Sequence, residues 1–233
     1  MGGVAHWLDL IDEARANGLD VTAEMFPWTA GSAAISSAVF GRDWRKIFAI
    51  DYSDVQWAAT GEWLDEKTFQ NYRTHEPSGQ TIHHYIKEEW NRQSLSRPYV
   101  MVASDCMPVF SHQRKVVPNG TATSSRILAR YVREEKLLDL NEALARLSLL
   151  PAQRLEAFAP AFRQKGRIRL GSDADLTLFD PDTVLDQATY MEPFKPNIGI
   201  QHVIVNGVEV VREGRLIAGV APGRRLLARS LAN

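Results

Sequence analysis

A short apolar run that ends in a carboxylate constrains the fold more than any other stretch of this chain. Residues 100–103 read Val-Met-Val-Ala, the pattern of a strand that is covered on both faces within a parallel α/β sheet. Ser104 and Asp105 follow at once, and Pro108 prevents the strand from continuing. Because α/β folds carry their chemistry at the carboxyl ends of parallel strands, Asp105 is a candidate functional residue. From these residues alone, a carboxylate that merely caps the next turn fits equally well.

The segment before this run has the pattern of a strand followed by a helix. Residues 81–86 are strand-like, residues 87–95 are helix-like, and they lead directly into the apolar run. The pattern predicts a βαβ unit with a right-handed crossover. His83 and His84 are adjacent, so on a strand their side chains point to opposite faces and cannot bind one metal ion from the same side. His84 lies nearer the strand end and is a candidate site residue, against the alternative of a packed or solvated histidine.

Helices and strands also alternate through the rest of the first 160 residues. A helical stripe over residues 4–16 ends at Asn17 and Gly18, where glycine supplies the left-handed cap. A strand over residues 21–26 is stopped by Pro27, which places Trp28 at its carboxyl end. Further helices are predicted over residues 66–72 and 124–135, from a capping box at residues 139–142 to Leu149, and from Pro151 to near Phe158. This part of the chain is therefore of the α/β class.

The pattern changes near Lys165, where short strands and turns replace the helices. Strands are predicted around residues 168–170 and over residues 176–179. Residues 203–211 form two β-prone runs joined by Asn206 and Gly207, the strongest short-range signal for a hairpin. We therefore expect a small β module, residues 161–233, after the α/β module of residues 1–160.

Charge and cysteine content exclude several classes of function. The formal net charge is −1, from 27 basic and 28 acidic residues, which gives no electrostatic case for binding nucleic acid or an anionic membrane. No apolar run approaches the length of a membrane span, and the first residues lack a secretion signal, so we expect a cytoplasmic protein. Cys106 is the one cysteine, which excludes an internal disulfide framework and a cysteine-based zinc knuckle.

Several motifs together resemble one known family. The segments GSDADLTLFDP at 171–181 and VIVNG at 203–207 are similar to the carboxyl-terminal signature of the amidohydrolase superfamily. The segments FPWTAG at 26–31, SD at 104–105, RILARYVRE at 126–134 and KGR at 165–167 resemble the D-aminoacylase branch, the N-acyl-D-amino-acid deacylases. The resemblance implies that residues 1–160 are the last strands and helices of a (β/α)8 TIM-like barrel and that residues 161–233 are strands of a small β-sandwich.

The resemblance also implies a reaction, a cofactor and a set of site residues. Family members use zinc to hydrolyse the amide bond of small N-acyl-D-amino acids, and Asp105 matches the aspartate that binds the metal and accepts a proton from the attacking water. The family's metal-binding histidines lie upstream of the residues matched here, and one carboxylate is too few for zinc, which needs about three protein ligands. The expected substrate-binding residues are Trp28, His84, His112 and Asn119. Asn119 stands where the family has an arginine that grips the substrate carboxylate, and Asn119 lacks that charge.

Three interpretations stay open on the sequence. The first is the carboxyl-terminal part of a zinc-dependent N-acyl-D-amino-acid deacylase, a hydrolase of non-peptide C–N bonds, whose activity requires a complementing amino-terminal half. The second is a cyclic amidase of the dihydroorotase or hydantoinase kind, which FPWTAG and RILARYVRE disfavour. The third is a non-catalytic remnant that lacks the metal histidines. We expect apolar edges that invite pairing with another chain, so a homo-oligomer is also predicted.

Overall fold

The computed structural model describes residues 3–106 and 115–227, which form a mixed α/β fold. The strands of this range are β1 (Ala23–Met25), β2 (Gly31–Ala34), β3 (Val55–Trp57), β4 (Gln80–His83), β5 (Val100–Val102), β6 (Leu176–Phe179), β7 (Ile200–Val205), β8 (Val208–Arg212) and β9 (Arg215–Leu216). The α-helices are α1 (Val4–Ala16), α2 (Trp44–Phe48), α3 (Glu66–His75), α4 (Glu88–Leu95), α5 (Asn119–Arg126), α6 (Leu140–Leu144) and α7 (Leu150–Leu155). Two wider π-helical segments, Ile127–Glu134 and Ala145–Leu149, continue α5 and join α6 to α7.

The described strands form three separate sheets. Strands β1 and β5 pair in parallel, with Met25 opposite Val102. Strands β2, β4 and β3 form an antiparallel sheet in that order, and β6 to β9 form an antiparallel meander. Since β4 and β5 lie in different sheets, the predicted βαβ unit is wrong. A strand–helix–strand pattern shows which elements exist, whereas the pairing partner of each strand depends on contacts with distant residues.

Strand β5 contributes to the hydrophobic core. All three residues of β5 are buried, as predicted for a strand covered on both faces. Val102 packs in one cluster with Leu95 of α4 and with Ile127 and Tyr131 of the long helix. A second, aromatic cluster lies beside the three-stranded sheet and includes Phe40, Trp44, Trp57 and Phe69. Residues of α4 and of the long helix therefore pack against the end of β5.

Local predictions succeeded where short-range signals determine the backbone. Helix α1 has the predicted bounds, and Gly18 has φ +85°, the left-handed cap. The β7–β8 hairpin turns at Asn206 and Gly207, whose φ angles are +48° and +76°. Two predictions were wrong. Residues 168–170 form a bend that leads into a turn and belong to no strand of the described ranges. Helix α6, its π segment and α7 form one continuous helical run instead of two helices.

No helix in the described ranges is long and apolar enough to cross a membrane.

Candidate active site

Asp105 lies just beyond the paired ends of two parallel strands. The backbone N–H of Ala103 donates to the carbonyl of Met25 at 2.9 Å, which holds the ends of β1 and β5 side by side. Asp105 follows in an exposed position with φ +50°, a left-handed conformation that costs free energy for a residue with a Cβ. Asn119 Nδ2 donates to the backbone carbonyl of Asp105 at 2.9 Å. In this structure Asn119 therefore supports the backbone that carries the candidate carboxylate.

Trp28 lies at the end of β1, as predicted, but its side chain is in the core. The indole is 3% exposed, and its Nε1 donates to Thr123 Oγ1 at 3.3 Å. The Arg126 guanidinium lies 4.5 Å from the centre of the Trp28 ring and donates from Nε to the carbonyl of Pro27 at 2.7 Å. These contacts fix the turn after β1. Substrate contact by Trp28 stays a prediction.

A distant tyrosine, which the sequence reasoning missed, holds the next residue. The Tyr190 hydroxyl accepts a hydrogen bond from the Thr29 backbone N–H at 3.0 Å and lies 2.9 Å from Thr29 Oγ1. Burial raises the pKa of Tyr190, so its phenol is neutral at physiological pH. Tyr190 is 161 residues from Thr29 in the chain, and no local pattern marks it. Only the folded structure reveals the contact.

The two adjacent histidines lie in different surroundings, as the alternation of a strand predicts. His84 Nε2 lies 3.0 Å from Gln56 Oε1, and its ring packs against Tyr190 and Trp63 at centroid distances of 4.7 and 5.0 Å. Burial lowers the pKa of His84. His83 is 4% exposed, and burial together with the charge of His84 lowers its pKa to about 4. Both imidazoles are therefore neutral near pH 7.

Tyr85 follows the histidines, and its ring packs on the same side as that of His83. Its ring stacks on His83 at a centroid distance of 5.3 Å and packs against Phe48 at 4.8 Å. The N–H of Ile86 donates to the carbonyl of Thr29 at 3.1 Å, which ties the segment after β4 to the segment after β1. Burial, and after it the negative charge of Asp105, raises the pKa of Tyr85. Tyr85 lies in the segment that borders the turn after β1.

A network of ion pairs holds the helices behind this site. Glu88 accepts from Arg126 at 3.1 Å, from Arg130 at 2.7 Å and from the Tyr131 hydroxyl at 3.0 Å. Arg126 also donates to Asp186 at 3.2 Å. Because Arg126 in turn holds the Pro27 carbonyl, this network connects α4 and the long helix to the turn at the end of β1.

The described residues do not by themselves fit a metal ion. In residues 3–106 and 115–227, no group of three His, Cys, Asp or Glu side chains is placed to hold one. Asp105 supplies a single carboxylate, and a catalytic zinc site needs about three protein ligands. His84 is engaged with Gln56. His112, another predicted site residue, lies outside the described residues.

Comparison with known proteins gives a consistent relationship. No protein-family model matches the chain. The chain is 33% identical over 221 residues to an N-acyl-D-glutamate deacylase of Alcaligenes xylosoxydans xylosoxydans, covering 90% of this chain and 42% of that protein. It is 28% identical over 237 residues to a D-aminoacylase of the same organism, covering 97% of this chain and 45% of that protein. The chain thus spans less than half the length of the curated relatives that it matches.

A solved structure agrees with the sequence relationship. An N-acyl-D-glutamate deacylase from Bordetella bronchiseptica, in complex with zinc and a phosphonate that mimics the tetrahedral intermediate, superposes with a TM-score of 0.69 at 30% identity. The match covers 90% of this chain and 44% of that one. By sequence and by fold, the chain therefore matches the carboxyl-terminal portion of the D-aminoacylase branch of the amidohydrolases.

Proposed function

We propose that this chain forms the carboxyl-terminal part of a deacylase that hydrolyses the amide bond of N-acyl-D-amino acids. The observation that carries the proposal is the 33% identity to an N-acyl-D-glutamate deacylase over 90% of the chain. Asp105 supports it, because the structure places this carboxylate at the carboxyl end of a buried parallel strand, where α/β folds carry their chemistry.

The same proposal assigns the sheets to two architectural units. We infer that residues 1–160 are the last part of a TIM-like barrel, with β1 and β5 as two of its parallel strands. Residues 161–233 would then be part of a β-sandwich, to which the β6–β9 meander belongs. The parallel pairing of β1 with β5 and the antiparallel order of β6 to β9 support this division.

Asp105 has a defined role in the proposed reaction. Water adds to the acyl carbon of the amide, and Asp105 accepts the proton that the water loses. The C–N bond then breaks, and the proton passes to the departing amine, which gives a carboxylic acid and a free D-amino acid. No step is assigned to zinc, because the described residues do not form a complete ligand set. A ligand role for Asp105 stays a prediction from the resemblance.

The proposal is tested by a substrate panel. We would incubate the intact protein, with zinc supplied, with N-acetyl-D-glutamate, N-acetyl-D-aspartate, N-acetyl-D-leucine and the three L-enantiomers. Release of the free D-amino acid, with little release from the L-compounds, is the expected result. Hydrolysis of dihydroorotate or a hydantoin instead would favour a cyclic amidase. A protein that acts on neither group of compounds would favour a non-catalytic remnant.

The role of Asp105 is tested by replacement with asparagine. Asp105→Asn keeps the size of the side chain but removes the charge and the ability to accept a proton, so we expect kcat to fall by about 10²- to 10⁴-fold. Asp182→Asn is the matched control, because Asp182 is an exposed carboxylate in the turn after β6. Thermal unfolding of both variants should match that of the unmodified protein. Full activity in Asp105→Asn would remove this residue from the mechanism.

A further inference from the structure

We propose that Tyr85 is a further catalytic residue, whose phenol O–H donates a hydrogen bond to the acyl oxygen of the substrate while water adds to the acyl carbon. This inference rests on the proposed deacylase function. Tyr85 was not among the residues that the sequence motifs pointed to, and the fold brings it to the site.

Two backbone hydrogen bonds bring the segments that carry Tyr85 and Asp105 to the same part of the fold. The N–H of Ile86, the residue after Tyr85, donates to the carbonyl of Thr29, four residues after the end of β1. The N–H of Ala103 donates to Met25, at the end of β1. The segments that carry Tyr85 and Asp105 therefore meet at the same strand end.

The Tyr85 ring is held rigidly, but its hydroxyl is free to bind a ligand. The ring lies between His83 and Phe48. It also lies against Gly31, where an added Cβ would approach Tyr85 Cε1 at 3.1 Å and His83 Nε2 at 3.0 Å. Within residues 3–106 and 115–227 the Tyr85 hydroxyl makes no hydrogen bond. A rigid ring that presents an unused donor is suited to a ligand that arrives only during the reaction.

The chemistry of the phenol suits an acyl oxygen. Asp105 accepts the proton of the attacking water, so the acyl carbon lies within reach of a water next to Asp105, and the acyl oxygen is one bond away. When water adds, the C=O electron pair moves onto that oxygen, and a neutral phenol can donate to it. A phenol is protonated at neutral pH, and burial favours the neutral form of Tyr85 further. Tyr85 gives up no proton in this step and stabilises the charge by hydrogen bonding alone.

The first experiment removes only the hydroxyl. Tyr85→Phe keeps the ring and its packing, and we expect kcat for the preferred N-acetyl-D-amino acid to fall by about 10²-fold, with KM changed by no more than about threefold. Tyr72→Phe is the matched control, since Tyr72 donates to Glu62 on the exposed side of α3 and should leave kcat unchanged. Unchanged kcat in Tyr85→Phe, or a loss confined to KM, would overturn the proposal.

A second measurement does not depend on turnover. In calorimetry, the affinity for a phosphonate analogue, whose phosphorus replaces the acyl carbon, should fall by about tenfold or more in Tyr85→Phe and stay unchanged in Tyr72→Phe. Equal affinity in both variants would overturn the role of Tyr85 while leaving the deacylase function in place. If the unmodified protein neither hydrolyses the panel nor binds the phosphonate, the proposed function fails, and the role of Tyr85 fails with it.

Discussion

His83 is a neutral histidine buried among aromatic rings. Phe40 and Phe48 pack beside it at centroid distances of 5.2 and 6.2 Å, and its Nδ1 has no hydrogen-bond partner within the described residues. A charged imidazole at this position would lose its hydration without gaining a partner, which is why burial lowers its pKa from 6.5 to about 4. The position therefore accepts a proton in the unfolded chain more readily than in the folded protein.

This difference gives a pH dependence of known sign. Between pH 6.5 and about pH 4 the unfolded state binds a proton at His83 and the folded state does not, so the free energy of unfolding falls as the pH falls. The full loss is about 3 kcal/mol below pH 4. Urea unfolding at pH 7 and pH 4.5 gives the loss of unfolding free energy on acidification. We expect this loss to be smaller in His83→Phe than in the unmodified protein by about 2 kcal/mol. His75 is exposed, so in His75→Gln the unfolding free energy should depend on pH as it does in the unmodified protein. The same pH dependence in all three proteins would contradict a buried, uncharged His83.

At the scale of elements, the ion network around Glu88 joins α4 to the long helix that begins at Asn119, with β5 between them in the sequence. Glu88 lies at the start of α4, and its three partners lie on the long helix over residues 119–134. The side chain of Glu88 is 27% exposed and that of Arg126 is 17% exposed. The pairs are therefore partly desolvated, and removing one partner leaves arginines without their acceptor.

Replacing Glu88 with glutamine should be costly for this reason. Glu88→Gln removes the charge that two arginines share, and we expect the free energy of unfolding to fall by about 2 kcal/mol, less than for a fully buried pair because water screens part of the interaction. Glu89→Gln, on the exposed face of the same helix, should change it by no more than about 0.5 kcal/mol. Urea unfolding measures both. Equal effects would mean that the network adds no stability beyond that of a surface charge.

Elements also mark the limit of what the sequence could predict. The bounds of α1, the buried strand β5 and the Asn206–Gly207 turn follow from signals within a few residues, and all three were predicted correctly. The sheet to which β4 belongs, and the contact between Tyr190 and Thr29, depend on segments far apart in the chain. Asp105 stays a prediction, and the sequence suggested it because a carboxylate at a strand end is a local pattern. The sequence did not suggest Tyr85, because its position depends on the β2–β4 pairing.

At the scale of the whole molecule, apolar side chains are distributed unevenly. No residue of β6 to β9 is fully buried, in contrast to β5, where every residue is. Ile168 is 92% exposed and Leu170 is completely exposed. Arg169, which lies between these two residues, donates to the carbonyl of Arg163 at 2.9 Å. Arg167, which precedes them, donates to the carbonyl of Lys165 at 2.9 Å. The arginines are therefore held by backbone carbonyls, whereas the apolar side chains of Ile168 and Leu170 extend into solvent.

This arrangement leads to a prediction about association. Exposed apolar surface of this kind favours self-association, so we expect light scattering of the intact protein to show a dimer or larger species. If Ile168 and Leu170 lie in the contact, their burial contributes about 3 kcal/mol together, and the double variant Ile168→Ser, Leu170→Ser should raise the dissociation constant by about 100-fold. Leu10→Ser on α1 is the control, because Leu10 is an exposed leucine on another part of the structure. A monomer at all concentrations, or an equal response to both sets of substitutions, would contradict the prediction. A monomer would mean that the exposed Ile168 and Leu170 do not drive association. An equal response would mean that association does not depend specifically on residues 168–170.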